Sequence, residues 1–438
     1  MRRLICRCVL ASLFASAFAS SHVQVAAHQV ASSPSALELF KAVDAYPQQR
    51  REALRAEGKH IDRETGEKIA KEQKELAARN AAALAARPNL SADDLYYLGL
   101  IYNYAERRDE ALDALRRFLS AKDAPHTGAG PQLARSIVAI YAAQTKQFDE
   151  AERVRADFLA NDPKTPYKIY QIELDLGAAY AKAKQYDRAV ERLTEAFKLA
   201  REMKPQDVPA GAHRETLVFN AGDALAGAYT GAKRQEDALR AIVELHRVAL
   251  ELPSANLYDL LRHKYANRQG EVERALATTE TNATPPELSV AEWIGESQLL
   301  KLSELRGRVV LLDFWYEWCG PCRASFPTLV SWQKKYKNKG LVVIGLTDLQ
   351  RTLASDTDKS REDKLAYLRK FAHDEKMTYA VGVAERTDNL ASYGVNVYPT
   401  SVLIDRHGTV RLISIGAGPR EIERLGDMID KLTKEPAP

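Results

Sequence analysis

Apolar and polar positions recur in a fixed order along residues 92–251. Each of four segments carries an apolar residue, a tyrosine four positions later, an alanine nine or ten positions after the tyrosine, and a further apolar residue. The four sets are Leu98, Tyr102, Ala111 and Phe118; Ile137, Tyr141, Ala151 and Phe158; Leu176, Tyr180, Ala189 and Phe197; and Leu225, Tyr229, Ala238 and Leu245. A polar turn lies between the tyrosine and the alanine, so each segment predicts a pair of helices.

Helical pairs of this kind cannot bury their apolar faces alone, so they must stack on one another. The small alanine falls where the second helix has to approach the first closely. Residues 66–87 are also strongly helix-favouring, and Pro88 ends that stretch. The sequence therefore predicts a helical region over residues 35–275, with its clearest repeats at 92–251. A polar stretch with two adjacent prolines, residues 276–288, is predicted to be a linker.

The hydrophobic pattern changes after the linker, from residue 289 to residue 438. Continuous apolar runs and one hairpin pattern indicate strands, at 308–316, 340–346, 379–384 and 400–415. Helical patterns lie between and after them, at 320–338, 361–376, 387–392 and 419–434. This alternation predicts an α/β domain with a mixed central sheet. The predicted fold class is therefore multidomain, with an all-α solenoid of helical pairs followed by an α/β domain.

The first 19 residues have the features of a signal peptide. Three arginines precede an apolar run from Val9 to Ala19, and small residues at the cleavage spacing end at Ala19 and again at Ala27. The pattern predicts export to the periplasm or another extracytoplasmic compartment, with no membrane span left after cleavage. Loss of the three arginines lowers the formal net charge from +4 to +1, which gives no reason to expect nucleic acid as a partner.

Signal cleavage also leaves two of the four cysteines, Cys319 and Cys322, in the stretch "EWCGPC" at 317–322. A structural zinc site needs four ligands, and the sequence has no second CxxC pair, so no metal is expected. A purely structural disulfide is a poor interpretation, because so short a loop removes little entropy from the unfolded chain. A disulfide that forms and breaks during catalysis is the remaining interpretation, and it needs no other cofactor.

The predicted fold assigns a role to each cysteine. Cys319 follows a buried strand and opens a helix, whose N-terminus lowers the pKa of a thiol, so Cys319 is the predicted nucleophile. Cys322, one turn into the helix, is predicted to resolve the mixed disulfide. Asp313 is charged within an apolar strand, and a buried carboxyl of raised pKa suits proton exchange with Cys322. Glu317 is predicted to lie in an exposed turn and to be solvated.

Two families resemble parts of the chain. The segments "YLGLIYNYAERRDEAL" and "DLGAAYAKAKQYDRAV" resemble tetratricopeptide (TPR) repeats. The segment "VVLLDFWYEWCGPC", at 309–322, resembles the active-site strand and turn of thioredoxin, and the span from 302 to about 434 resembles the extracytoplasmic TlpA/ResA-type thioredoxin-like family. This resemblance implies a thioredoxin-like fold and thiol–disulfide exchange. The stretch 348–364 is longer and more polar than the family's connection.

The segment "VYPTSVLID", at 397–405, matches the cis-proline loop of that family. The resemblance implies a cis peptide bond before Pro399, in a loop that faces the cysteines and whose backbone pairs with an extended substrate. It also implies a set of substrate-binding residues around the cysteines and this loop, which are Trp318, Gly320, Pro321, Tyr398, Pro399 and Thr400.

The leading hypothesis is a secreted reductase of protein disulfides. Its partners are a disulfide-containing protein substrate and a membrane thiol protein as electron donor, because an oxidising compartment otherwise keeps the cysteine pair oxidised. The TPR-like region either docks a protein or peptide ligand or serves as a scaffold or dimerisation module. The open alternatives are a disulfide oxidase or isomerase, and a docking protein with an accessory redox pair. A peroxidase is disfavoured because Tyr316 stands where that chemistry needs Thr or Ser.

Overall fold

The computed structural model describes residues 33–276, 284–295, 301–352 and 359–436. The predicted signal peptide and its cleavage window lie outside these described residues, as does most of the predicted linker. In the described ranges, no helix is both long enough and apolar enough to cross a membrane.

The N-terminal part of the described chain is helical. Twelve α-helices follow one another within residues 33–276: α1 (Ala36–Ala56), α2 (Arg63–Ala85), α3 (Ala92–Tyr104), α4 (Arg108–Ser120), α5 (Ala129–Gln144), α6 (Phe148–Ala160), α7 (Pro166–Lys182), α8 (Tyr186–Glu202), α9 (Arg214–Gly231), α10 (Gln235–Glu251), α11 (Ala255–Lys264) and α12 (Gln269–Leu276). Helices α3 to α10 form four hairpins, each with its two helices packed together. The helical N-terminal part of the predicted fold class is confirmed.

The same backbone geometry closes the four hairpin turns. A non-glycine residue with a left-handed backbone, at φ between 56° and 64°, follows the first helix of each pair: Glu106, Lys146, Lys184 and Lys233. The amide of the next residue then donates to a carbonyl in the last turn of the helix; these residues are Arg107, Gln147, Gln185 and Arg234. Such bonds satisfy carbonyls that a helix end leaves without partners. One recurring turn therefore produces the recurring polar segment of the sequence.

Small residues allow the two helices of a pair to approach closely. The four predicted alanines are all fully buried: Ala111, Ala151, Ala189 and Ala238. Three pairs also use a glycine on the first helix, which the sequence analysis did not identify. A Cβ atom added at Gly99, Gly177 or Gly222 would lie 2.4 or 2.5 Å from a leucine of the second helix; the leucines are Leu115, Leu193 and Leu245. The glycines and alanines together set the spacing within the hairpins.

A mixed sheet forms the centre of the C-terminal part. Six strands lie in the described residues from 284 onward: β1 (Glu292–Ile294), β2 (Val309–Phe314), β3 (Leu341–Asp348), β4 (Ala380–Ala384), β5 (Thr400–Ile404) and β6 (Val410–Ile415). Their spatial order is β1-β4-β3-β2-β5-β6. Strands β2, β3 and β4 are parallel, whereas β1, β5 and β6 each run antiparallel to a neighbour. The predicted mixed sheet is confirmed.

Helices connect and follow these strands in the places that the sequence pattern predicts. They are α13 (Gly320–Tyr336), α14 (Arg361–Asp374), α15 (Asp388–Ser392) and α16 (Pro419–Leu432). Strand β1 was not predicted, because three half-buried residues are too few to show a periodic pattern.

The helical part and the sheet share one hydrophobic core. One cluster of buried apolar residues extends from Ala92 in α3 to Leu432 in α16, and a second cluster joins α1 and α2 to α3 and α4. Helices α10 and α11 pack against the edge strand β6. In α16, the guanidinium of Arg424 forms an ion pair with Glu273 of α12 and donates a hydrogen bond to the hydroxyl of Tyr258 in α11, at 3.1 Å. Apolar burial and an ion pair therefore hold the two parts together.

The close contact at Gly177 predicts an unusual effect of alanine. In an open helix position, alanine stabilises by about 1 kcal/mol relative to glycine. At position 177 the added methyl group would overlap Leu193, and overpacking of this kind costs about 1–3 kcal/mol. We expect Gly177→Ala to lower the free energy of unfolding, measured in urea, by on the order of 1 kcal/mol.

Gly227 is the matched control for this variant. It lies in α9, and a Cβ atom there would have no neighbour within 4 Å. Gly227→Ala should therefore raise the free energy of unfolding by up to about 1 kcal/mol. Equal gains in the two variants would contradict the close contact between α7 and α8.

Candidate active site

The cysteine pair lies where the central strand β2 ends and α13 begins. All residues of β2 are buried, and the strand lies between β3 and β5. Cys319 is the N-cap residue of α13, and its sulfur accepts the amide N–H of Cys322 at 3.2 Å. The unpaired amides and the positive end of the helix dipole are therefore directed at the Cys319 sulfur.

The two sulfurs are joined in a disulfide, and they differ in exposure. Cys319 is 5% exposed, whereas Cys322 is fully buried. Gly320 and Pro321 between them are exposed, and Pro321 occupies the first turn of α13, where its missing N–H removes no helical hydrogen bond. A substrate can therefore reach the disulfide only from the side of Cys319. Among the described residues, no group of three or more His, Cys, Asp or Glu side chains is arranged to hold a metal ion.

The loop before β5 lies beside the disulfide. The peptide bond between Tyr398 and Pro399 is cis. In the sheet register, Thr400 stands opposite Phe314, the last residue of β2, so the loop borders the turn that leads to the cysteines. Thr400 itself is fully buried, and its hydroxyl donates to the carbonyl of Val397 at 2.8 Å. Its side chain therefore stabilises the loop, and the contact of Thr400 with substrate stays a prediction for its backbone.

Three aromatic rings pack together beside the turn that carries Cys319. The rings of Tyr316 and Trp318 are stacked with centroids 5.1 Å apart, and Tyr398 meets them edge-on at 4.9 and 5.8 Å. Tyr316 is buried, while Trp318 is 47% exposed. The two tyrosines thus hold an exposed indole in a defined orientation beside the disulfide.

The loop that follows β3 supports this aromatic surface. Asp348, the last residue of β3, accepts the amide N–H groups of Gln350 and Arg351, each at 2.9 Å. It also accepts the hydroxyl of Tyr316. Burial, together with this bond to a carboxylate, raises the pKa of Tyr316, so the phenol stays protonated.

Arg351 connects the same loop to both remaining rings. Its carbonyl accepts the indole N–H of Trp318 at 3.1 Å, and its guanidinium donates to the hydroxyl of Tyr398 at 3.0 Å. Arg351 was not predicted from the sequence. The sequence feature that could have indicated Arg351 was the position of the polar stretch 348–364. This stretch starts at the carboxyl end of a central strand, which is the edge of the sheet where the cysteines also lie.

The prediction that Glu317 is solvated was wrong. Glu317 is buried, and its carboxylate accepts the hydroxyl of Thr352. The physical reason is that the loop after β3 covers the turn between β2 and α13. Sequence neighbours such as Trp318 gave no indication of this long-range cover, because it comes from residues more than 30 positions away.

Asp313 is buried within β2, with 1% of its surface exposed. Its Oδ1 accepts the hydroxyl of Ser401 in the neighbouring strand at 2.8 Å, and its Oδ2 has no hydrogen-bond partner among the described residues. Burial, only partly offset by the Ser401 bond, raises the pKa of Asp313 to about 7. The carboxyl can therefore gain or lose a proton near neutral pH.

The side chain of Asp313 lies on the face of the sheet that α13 covers. Asp313 and Trp315 are two residues apart in an extended chain, so they share a face. The ring of Trp315 packs on Phe326 of α13, with centroids 5.4 Å apart. Cys322 precedes Phe326 by one turn on the same side of the helix. Asp313 and the buried Cys322 are therefore on surfaces that face each other.

Comparisons with known proteins give the family to which the C-terminal part is similar. Residues 280–429 match the family model described as Redoxin. The chain is 30% identical over 138 residues to the thiol-disulfide oxidoreductase ResA of Bacillus anthracis, which covers 32% of this chain and 71% of ResA. It is 31% identical over 144 residues to the thioredoxin-like protein YneN of Bacillus subtilis (strain 168), which covers 33% of this chain and 76% of YneN.

Solved structures include a Chlorobium tepidum protein provisionally assigned as the thiol:disulfide interchange protein DsbE. It is 34% identical to this chain, and the match covers 34% of this chain and 95% of that one, with a TM-score of 0.29. The fold and the cysteine site define the C-terminal part as a thioredoxin-like oxidoreductase domain. The chain belongs to the family of thiol-disulfide oxidoreductases that includes ResA.

The buried carboxyl of Asp313 predicts a pH-dependent stability. Its folded-state pKa of about 7 lies above the ordinary value of 3.8, so ionisation opposes folding increasingly between these pH values and not below them. Asparagine can still accept the Ser401 hydroxyl but cannot ionise. We expect Asp313→Asn to raise the free energy of unfolding of the oxidised protein by on the order of 2–4 kcal/mol at about pH 8, and by little at about pH 4.

Urea unfolding at the two pH values measures this difference. Asp405 is the matched control, because it is also buried but accepts two amide N–H groups and pairs with Arg411 at 3.1 Å. Asp405→Asn should destabilise the protein at about pH 8, since it weakens these charge-assisted bonds. A gain from Asp313→Asn that is equal at both pH values would contradict the raised pKa.

Proposed function

We propose that this protein is a secreted thiol-disulfide oxidoreductase that reduces protein disulfides through Cys319 and Cys322. The observation that carries the proposal is the slightly exposed Cys319 sulfur at the N-terminus of α13, bonded to the fully buried Cys322. Two-step thiol exchange needs one sulfur that meets the substrate and another that acts afterwards. The redox-active disulfide is proposed to be the only reactive group, without a separate cofactor.

The proposed reaction starts from the reduced dithiol. The Cys319 thiolate attacks one sulfur of the substrate disulfide, whose S–S bond breaks as a mixed disulfide with Cys319 forms and the other substrate sulfur leaves as a thiolate. Cys322 then loses its proton and attacks the Cys319 sulfur, which releases the second substrate thiolate. In sum, two electrons pass to the substrate, whose two sulfurs leave as thiolates and take up protons from solvent, and the Cys319–Cys322 disulfide is formed.

Asp313 is proposed to receive the proton that Cys322 loses. A buried thiol cannot transfer its proton to bulk water directly, so it needs a nearby acceptor. The support for Asp313 is its position on the sheet face covered by α13, its pKa of about 7, and an Oδ2 atom without a hydrogen-bond partner among the described residues. The same carboxyl would return the proton when the disulfide is reduced again.

The substrate is proposed to contact the groups that surround the disulfide. These are the exposed Trp318, Gly320 and Pro321, the half-buried Tyr398, and the backbone of the buried Pro399 and Thr400. The indole of Trp318 offers an apolar face to residues beside the substrate cysteine. The backbone of the cis-proline loop would pair with an extended substrate segment, as an added strand does.

The compartment and the electron donor follow from the N-terminal sequence. The signal-peptide pattern at residues 1–19 supports export. In an oxidising compartment the dithiol must be regenerated after each turnover, so we propose a membrane thiol protein that supplies two electrons by the same exchange chemistry. The proposed domains are a helical TPR-like region over 35–275, a linker over 276–288 and the redox domain over 289–438, with the helical repeats as a docking module.

The direction of the reaction is tested by the reduction potential of the cysteine pair. We expect a value at or below about −250 mV after equilibration with dithiothreitol, because reducing members of this fold lie in that range. The measurement uses the exported form of the chain and thiol alkylation as its readout. A value between about −180 and −120 mV would instead indicate a disulfide oxidase or isomerase.

The roles of the two cysteines are tested by trapping. We expect Cys322→Ser to accumulate a disulfide-linked adduct with an oxidised protein such as insulin, because no second sulfur can resolve it. Cys319→Ser is the control and should form no adduct, since the remaining sulfur is fully buried. If Cys322→Ser also forms no adduct, the redox pair is accessory and the docking alternative is favoured.

A further inference from the structure

Four large apolar side chains are exposed among the described residues. Trp318 and Val397 border the redox site and are 47% and 41% exposed, while Leu260 on α11 is 44% and Leu37 on α1 is 38% exposed. A single exposed leucine carries no information by itself. The position of Leu260 relative to the disulfide is informative, because α11 is bonded to the chain that leads into the cis-proline loop.

The first turn of α11 holds the segment just before that loop. The amides of Ala255 and Asn256 donate to the carbonyls of Tyr393 and Gly394, each at 2.9 Å. The helix N-terminus, which leaves its first amides without helical partners, is thus satisfied by the redox domain. These two hydrogen bonds therefore hold the backbone of the chain in position up to five residues before Pro399.

Ser254 and Gly394 bring the two backbones into close contact. Ser254 is the buried N-cap of α11, and a Cβ atom on Gly394 would lie 2.9 Å from its Oγ. Gly394 also has a left-handed backbone, with φ of +56°, which favours glycine. Two residues further along each segment, the amide of the Asn396 side chain donates to the Asn256 side chain at 3.0 Å. The junction is therefore tight in its interior and continuous at its surface.

Leu260 lies on the outward face of α11, next to this surface. The helix buries Leu257, Tyr258 and Leu261 and exposes Asn256 and Leu260. Residues four apart are neighbours on a helix, about 6 Å from each other. Leu260 is thus one turn from Asn256, which contacts the residue preceding Val397. Exposed residues that are linked by contacts or by adjacency in the chain therefore extend from the redox site across the domain boundary to the helical part.

We propose that α11 extends the substrate-binding surface, and that Leu260 binds an apolar side chain of the polypeptide whose cysteine reacts with Cys319. This inference rests on the proposed thiol exchange. The occupant is an extended or unfolded protein segment with an apolar residue several positions from its disulfide-bonded cysteine. Two observations favour this occupant: the surface is continuous with the redox site, and it carries three of the four large apolar side chains that are exposed among the described residues, Trp318, Val397 and Leu260.

A set of synthetic peptides tests this proposal in the full exported chain. Each peptide is polar, contains one cysteine as a mixed disulfide with thionitrobenzoate, and carries a single leucine at a different distance on either side of the cysteine. The reduced protein attacks the peptide disulfide, thionitrobenzoate leaves as a coloured thiolate, and the protein ends as the Cys319–Cys322 disulfide with a free peptide thiol. The second-order rate constant is measured for each peptide and for the small disulfide dithionitrobenzoate.

In the native protein we expect one leucine position to raise the rate constant by about tenfold over the leucine-free peptide, the gain expected from burying part of an apolar side chain. Leu260→Ser should lose this gain and keep the rate constant with dithionitrobenzoate. Leu37→Ser is the matched control, because it removes a leucine of similar exposure from α1. It should behave as the native protein does.

Two results would overturn the inference. One is a native protein whose rate constant does not depend on leucine position; the other is a Leu260→Ser variant that retains the dependence. A loss of the gain in Leu37→Ser as well would also overturn it, since the effect would then not be local to α11. Failure of the native protein to react with dithionitrobenzoate would be a different outcome, because it would overturn the proposed thiol exchange itself.

Discussion

The need of each helical hairpin to stack on another layer is the constraint on which the rest of the structure depends. A hairpin buries one face against its predecessor and leaves a second face for its successor. After α9 and α10 no further hairpin follows in the described residues; instead, α11 and the edge strand β6 cover the exposed face, with α12 and α16 beside them. The redox domain therefore also closes the helical array, and β6 is protected from edge-to-edge pairing.

The same junction links the array to the chemistry. The chain between α15 and β5 is held by the first turn of α11 on one side and by the β2–β5 register on the other. Its geometry is thus determined by residues of both parts.

Asp313, in contrast, destabilises the fold, because a carboxyl in an apolar strand with only one of its oxygens hydrogen-bonded opposes folding. Such local conflicts are typical of functional sites, where stability elsewhere in the fold compensates for them.

Local patterns predicted most of the fold, and long-range contacts account for what they did not predict. The continuous apolar run at 308–316 predicted strand β2, and the helical pattern at 320–338 predicted helix α13. The position of Cys319 at their junction follows from the order of these two elements in the chain. The burial of Glu317 and the role of Arg351 depend on the loop after β3, more than 30 residues away in sequence. The contact of Gly177 with Leu193 and the bonds of Asn256 to the redox domain also join distant segments. The hydrophobic pattern of a single segment carries no information on contacts between distant segments.

Arg424 has a consequence for how the gene can be rearranged. The polar linker at 276–288 marks the obvious boundary in the sequence, but the guanidinium of Arg424 bonds to Glu273 and Tyr258, which lie on the other side of it. A recombination break in the linker would separate a charged residue from its partners and uncover apolar surface on β6. A transferable cassette would instead begin before Ser254 and carry α11 and α12 with it. A segment that keeps these contacts is therefore larger than the catalytic domain.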